Sequence, residues 1–173
     1  MCIRDRDFTV EGNWHTHGIM LKGYRNAGEH EFSDGWHSLD YTNGFMCQGT
    51  ADLIAGNRMT LGGDFRRQGG ERVDIDSIPW EKDEYGVFVH DEQIVHDRVI
   101  LTAGIRYHHD EIAGNAIAPH AGLVVHVPLG TILKASINKG FRSPQINELY
   151  LFPPSNTDLK PEVVWNYEIG FNQ

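Results

Sequence analysis

A chain of 173 residues with a formal net charge of −9 lacks the clustered Lys and Arg that neutralise phosphates, which excludes nucleic acid as the main partner. No apolar run reaches the roughly 18 residues of a membrane-crossing helix, but strands that cross a bilayer with about ten alternating residues each stay open. There is no G-x-S-x-G, no H-E-x-x-H and no glycine-rich phosphate cradle, so no catalytic residue is assigned and an enzyme is not expected.

The first residues, Met1-Cys2-Ile3-Arg4-Asp5-Arg6, contain no apolar stretch of a signal peptide. An exported protein is expected to begin upstream, and these residues need not belong to it. Cys2 and Cys47 form no C-x-x-C pair; they read as two unrelated thiols, with a disulfide as the alternative. A strand is expected from Trp14 to Tyr24, although Gly12, Gly18, Gly23 and Gly28 blur its period. A polar connection follows from Asn26 to Gly35, then a second strand from Trp36 to Gln48 and a tight turn from Ala51 to Gly56.

From Asn57 the alternation sharpens. Met59, Leu61, Gly63 and Phe65 share one strand face, with Arg58, Thr60, Asp64 and Arg66 opposite. A long polar loop is expected from Gln68 to Asp83. Tyr85, Val87 and Val89 form one face of the next strand, a short turn lies around Val95 to Asp97, and Val99, Leu101, Ala103, Ile105 and Tyr107 follow. Another long loop is expected from Asp110 to Pro119. Ala121, Leu123, Val125 and Val127 then alternate up to the turn Pro128-Leu129-Gly130, and Leu133, Ala135 and Ile137 continue to Phe141. Pro144, Pro153, Pro154 and Pro161 bar ladder pairing from Ser143 to Pro161. The final strand carries Val163, Trp165, Tyr167, Ile169 and Phe171 on one face.

Short and long connections thus alternate, the pattern of an outer-membrane barrel with short turns on one rim and long loops on the other. Phe65, Tyr85, Tyr107, Phe141 and Trp165 read as an aromatic girdle at the long-loop end. The opposite faces carry Arg58, Asp64, Arg66, Arg106, Lys134 and Glu168, which a dry core cannot hold but a wide, water-filled barrel can.

Ten histidines raise the question of metal. His15 and His17 are expected on one strand face, and His108 and His109 on opposite faces. His108 and His120 flank one loop and could approach each other. No fixed zinc-ligand spacing is present, so the histidines read as solvated or lumen-lining residues, with metal or haem contact as the alternative, and no metal site is assigned.

The ordered elements F-R-S-P from Phe141, N-E-L-Y from Asn147, N-T-D-L-K-P-E from Asn156 and Y-E-I-G-F from Tyr167 resemble the C-terminal half of the barrel of TonB-dependent outer-membrane receptors. The resemblance runs more weakly upstream, through Leu101-Thr-Ala-Gly-Ile-Arg-Tyr and Gly86-Val-Phe-Val to Leu61-Gly-Gly-Asp-Phe. It implies an all-β chain, an antiparallel up-and-down segment of about eight strands of a larger transmembrane barrel that does not close by itself. Residues 1–173 would be a partial barrel domain, weakly assigned over 1–56, with plug and signal peptide absent.

The implied function is active import across the outer membrane of a Gram-negative bacterium. Its implied partners are outer-membrane lipid, the TonB energy-transducing complex reached through a missing N-terminal segment, and a small-molecule or metal-chelate ligand. No cofactor is implied. A ferric siderophore is the commonest cargo of such receptors, with cobalamin, haem, zinc or a glycan behind it. Haem receptors of the family carry a histidine between the F-R-x-P and N-x-x-L elements, here F-R-S-P and N-T-D-L, and Gln145 to Ser155 has none.

Most motif residues read as structural: Phe141, Arg142, Pro144, Glu148, Leu149, Asn156, Leu159, Pro161, Glu162, Tyr167 and Glu168. Arg142 and Glu148 are expected to pair, and Asn156 and Asp158 to cap local turns. Ligand contact is expected at Arg72, Trp80, His108, His120, Arg142, Leu151, Phe152 and Ser155, most of them on the loop tips Arg72 to Trp80 and Leu151 to Ser155. Two rival readings are a secreted soluble β-sandwich that binds a ligand and an enzyme on a small outer-membrane barrel. In isolation the open sheet is expected to aggregate.

Overall fold

The computed structural model describes residues 2–75 and 78–173. Asp76 and Ser77, inside one expected ligand loop, lie outside the described residues, as do Met1 and the side chains of Cys2 and Ile3.

Strict alternation of apolar and polar residues can bury neither face of a lone sheet in water, and the chain accordingly forms one continuous wall. Among the described residues nine antiparallel strands pair in sequence order: β1 Cys2–Trp14, β2 His17–Glu31, β3 His37–Ala51, β4 Asn57–Arg72, β5 Trp80–Val95, β6 Val99–Asp110, β7 Gly114–Val127, β8 Thr131–Arg142 and β9 Glu162–Asn172. A single sheet excludes the sandwich reading, which needs two facing sheets. The sheet is an open segment of an up-and-down barrel.

One face is apolar and bare. Leu61 is 64% exposed, Val87 55%, Ile105 47% and Ile169 93%, on strands whose other face carries the charges. Hydrocarbon is the solvent that makes such a face stable. Phe45, Phe65, Tyr85 and His109 stand in one cross-strand row near its upper end. Tyr107 sits one step below, opposite Val87, and Trp165 stacks loosely on Tyr167. Of the expected girdle, Phe65, Tyr85 and Tyr107 thus cluster near one level, joined by Phe45, while Trp165 stands on β9 across from Lys139. Phe141 leaves the girdle, because its ring lies against His108 on the lumen side, centroids 4.8 Å apart.

Several boundaries differ from the sequence reading. The expected first strand, Trp14 to Tyr24, straddles a hairpin in which Trp14 pairs with His17. His15 occupies the turn with a positive φ of 48°, so it shares no strand face with His17. That hairpin supplies the ninth strand. The polar connection Asn26 to Gly35 is mostly strand, since β2 runs to Glu31. Gln68 to Arg72 and Trp80 to Asp83 belong to β4 and β5 rather than to a loop.

The loop expected from Asp110 to Pro119 shrinks to 111–113, and Pro119 lies inside β7 opposite Ile105. Its missing N–H costs no ladder bond on the other side, because β7–β8 pairing ends at His120 and Asn138. Strands of up to 16 residues exceed the roughly ten needed to cross the hydrocarbon. The rim of expected long loops is therefore largely one of tall hairpins. Cys47 is a free thiol. It pairs with Leu21 while Cys2 pairs with Glu29, far apart along the same sheet, so the disulfide alternative falls.

Candidate functional site

Beyond Arg142 the chain turns inward and crosses the lumen face as a strap. Ser143 Oγ lies 3.2 Å from His108 Nε2 on β6. The Pro144 carbonyl accepts from Lys82 Nζ on β5, and Ile146 N donates to Gln68 Oε1 on β4 at 3.3 Å. A single wide turn, Asn147–Leu151, then brings Leu151 O within 3.2 Å of Trp36 Nε1. Phe152 ends the crossing edge-on to Trp36 at 4.9 Å and to His30 at 5.3 Å. The strap is thus fastened successively across the wall.

Its underside is the apolar core of the chain. Trp36, Ile146, Leu149 and Leu151 are buried, with Trp80, Tyr150 and Phe152 packed against them. Burial of each leucine contributes about 1.5–3 kcal/mol. Gly70 on β4 leaves the room: a Cβ there would lie 2.6 Å from Leu151 Cδ1.

Beside the core is a buried ionic chain. Lys82 Nζ lies 2.7 Å from Asp110 Oδ2 and 2.8 Å from Glu84 Oε1. Glu84 Oε2 accepts from Arg66 Nε at 3.1 Å and stands 3.5 Å from His108 Nε2. Asp110 Oδ1 also accepts from the N–H groups of Ile112 and Ala113. Glu84, His108 and Asp110 sit close enough to suit a metal ion, but the Lys82 ammonium already bridges both carboxylates. The cluster therefore reads as the strap's anchor, and removing one member strands the others.

Next to this anchor a cavity of about 320 Å³ opens, lined among others by Tyr24, Asp64, Arg66, Arg106, His108 and Arg142, with Ser143 and Gln145 of the strap. Three guanidiniums face one lining carboxylate in a chain of net charge −9. Arg106 donates to Asp64 at 2.6 Å, Arg66 to Glu84 and Arg142 to Glu148, and Arg142 stands 3.6 Å from Glu162. Guanidiniums fixed in this way offer their remaining N–H groups to an anionic or oxygen-rich guest.

The expected ligand residues separate into groups. His108 and Arg142 line the cavity. Arg72 bonds to Asp74 at the top of β4, and Trp80 stacks on Tyr150 at 5.2 Å. Ser155 is exposed on the outer bend. Leu151 is no loop tip but fully buried, and Phe152 is held against Trp36. His108 and His120 do not meet; His120 contacts His90 instead, at 2.7 Å.

The expected Arg142–Glu148 pair forms. Asn156 Oδ1 accepts from Asp158 N at 2.9 Å, which caps the local turn. Lys82, Glu84 and Asp110 are absent from the sequence reading. Lys82 falls in the loop expected from Gln68 to Asp83 and Glu84 just past its end, although their two-residue spacing matches the inward phase of β5.

A protein-family model described as "TonB dependent receptor-like, beta-barrel" matches residues 4–173. A comparison with curated proteins finds no match. Among solved structures, the siderophore receptor PirA of Pseudomonas aeruginosa superposes with a TM-score of 0.85 at 14% identity, covering 98% of this chain and 36% of that one. A mutant of the ferric enterobactin receptor PfeA of the same organism, in complex with enterobactin, gives a TM-score of 0.80 at 16% identity, with coverages of 98% and 32%. OmpT of Vibrio cholerae gives 0.65 at 14%, covering 98% and 55%. The chain therefore spans about a third of the length of the two receptors.

Proposed function

Because the chain belongs to the TonB-dependent receptor β-barrel family and its wall is that of a Gram-negative outer-membrane protein, we propose that it forms part of a receptor importing a ferric siderophore. The observation that supports this cargo is the cavity itself: Arg66, Arg106 and Arg142 converge on a space of about 320 Å³ that opens to the lumen. That volume lies in the range of small-ligand sites, and guanidiniums held in place by carboxylates still present N–H donors to the oxygens of a chelate. The two receptors that superpose well are described as siderophore and ferric enterobactin receptors.

In this reading the chelate enters from the tall-hairpin rim and settles against the arginines. The TonB complex, acting through a segment outside this chain, supplies the energy that moves the chelate inward. The arginines bind and orient; no bond is made or broken in the cargo by any residue of this wall.

The test is growth and uptake. The complete gene, placed in a Gram-negative strain stripped of its own iron receptors, restores uptake of radioactive iron from a ferric siderophore only while TonB is present. Arg106→Ala weakens binding about tenfold or more, the loss of a charge-assisted contact of roughly 1.5–3 kcal/mol. Uptake of haem or cobalamin but of no ferric siderophore overturns the reading.

A further inference from the structure

Below the cavity, on the same lumen face, two histidines meet across a glycine. The register aligns Thr60, His90, Gly104, His120 and Asn138 in one cross-strand row from β4 to β8. Only Gly104 allows the pair to form: a Cβ there would lie 2.3 Å from His120 Cε1 and 2.7 Å from the Val89 carbonyl oxygen. The rings stack with centroids 5.0 Å apart and planes 20° from parallel. His90 Nδ1 and His120 Nε2 are 2.7 Å apart, a distance at which two imidazoles share one proton.

We propose that His90 and His120, completed by the Glu92 carboxylate, form a binding site for a divalent transition-metal ion on the lumen wall, separate from the arginine cavity. Imidazole nitrogen is the commonest protein ligand for copper, nickel and zinc. The two nitrogens already face each other at 2.7 Å. Metal–nitrogen bonds of about 2.0–2.1 Å at a tetrahedral angle place them about 3.3 Å apart, so a small ring rotation admits the ion, and the shared proton moves through lumen water to the outer nitrogen of the ring that carried it, leaving two neutral imidazoles as ligands.

Glu92 follows His90 by two residues on the same face of β5, about 7 Å along the strand, within reach of a rotamer change. It is opposite Thr102 on β6. The hydroxyl of Thr60 and the amide of Asn138 close the row at its two ends. Two cations flank the site: Arg58 stands across from Glu92 on β4 and is held by Asp52, and Arg106 lies over the Phe88 ring at 5.9 Å and is tied to Asp64. The remaining coordination positions face the lumen and suit water.

This inference does not depend on the siderophore reading, since the ligands lie outside the arginine cavity. The experiment uses the complete receptor, purified in detergent, with copper(II) ions alone as probe. Electron paramagnetic resonance is expected to show coupling to two imidazole nitrogens, and zinc to compete for the same site. His90→Gln and His120→Gln each remove the two-nitrogen signal and weaken copper binding at least tenfold.

Gly104→Ala keeps both imidazoles but displaces the His120 ring, and weakens binding as well. His96→Gln, in the turn after β5, leaves binding unchanged. Gel mobility before and after heating shows that each variant has folded. Copper bound through a single nitrogen, or undiminished binding in folded His90→Gln, overturns the site. Loss of siderophore uptake with the copper signal intact overturns only the cargo.

Discussion

Leu61 and Leu151 are the same residue type in opposite situations: Leu61 stands 64% exposed on the outer face of β4, while Leu151 is fully buried under the strap. Leu61 needs only its strand neighbours and hydrocarbon. Leu151 needs Trp36, whose indole bonds to its carbonyl from 115 residues away. The wall is thus stabilised by sequence-adjacent pairing in lipid, and the strap by distant protein contacts in a wet lumen. Substitutions with one effect on both faces would erase that contrast.

The largest effect is expected at Lys82→Met. It leaves Glu84 and Asp110 buried without their shared cation and takes the donor from the Pro144 carbonyl. Removing one partner of a buried ionic group costs about 3–5 kcal/mol, measured as a fall in the urea midpoint of the receptor refolded in detergent. Leu151→Ala comes next, at about 2–5 kcal/mol, with a change in tryptophan fluorescence because Trp36 and Trp80 flank the emptied space.

The wall is tested by a pair of arginines. Ile105→Arg, on the lipid side of β6, is expected to cost about 2–4 kcal/mol in a bilayer. Thr102→Arg, on the lumen side of the same strand, changes stability by about 0.5 kcal/mol or less. Folding titrations in vesicles compare them, and equal costs would mean that the outer face does not meet lipid.

The smallest effect is that of pH on the strap. Burial raises the Glu148 carboxyl, but the Gln145 N–H and the Arg142 guanidinium outweigh it and hold the carboxyl below its ordinary value of 4.5. A carboxylate depressed in the folded state stabilises above its unfolded pKa and loses that contribution as pH falls through the folded one. The strap is therefore expected to loosen only below about pH 4.5, and Glu148→Gln to remove that acid transition, followed by tryptophan fluorescence.

What was legible in the sequence follows the same division. From β4 to β9 the period-two pattern marks the middle of each strand and its lipid face, because these depend on residues next to one another, while the polar strand ends 68–72, 80–83 and 114–119 read as loops and the inward ring of Phe141 reads as lipid-facing. Gly12, Gly18, Gly23 and Gly28 interrupt that pattern, and the β1–β2 hairpin was lost with it. The Arg142–Glu148 pair and the Asn156 cap are local and were readable. The fold-back of Leu149 and Leu151, the Lys82 anchor and the His90–His120 contact each join residues whose nearness only the register creates.

One geometric fact carries over into kinetics. Among the described residues each strand pairs with its neighbours in sequence, so the wall has low contact order and can grow hairpin by hairpin without closing a large loop. The strap is the exception, a clasp between residues 36 and 151 that has nothing to grip until β2 to β6 stand in place. Its docking is the last event of assembly, and the environment of Trp36 is the clock that records it.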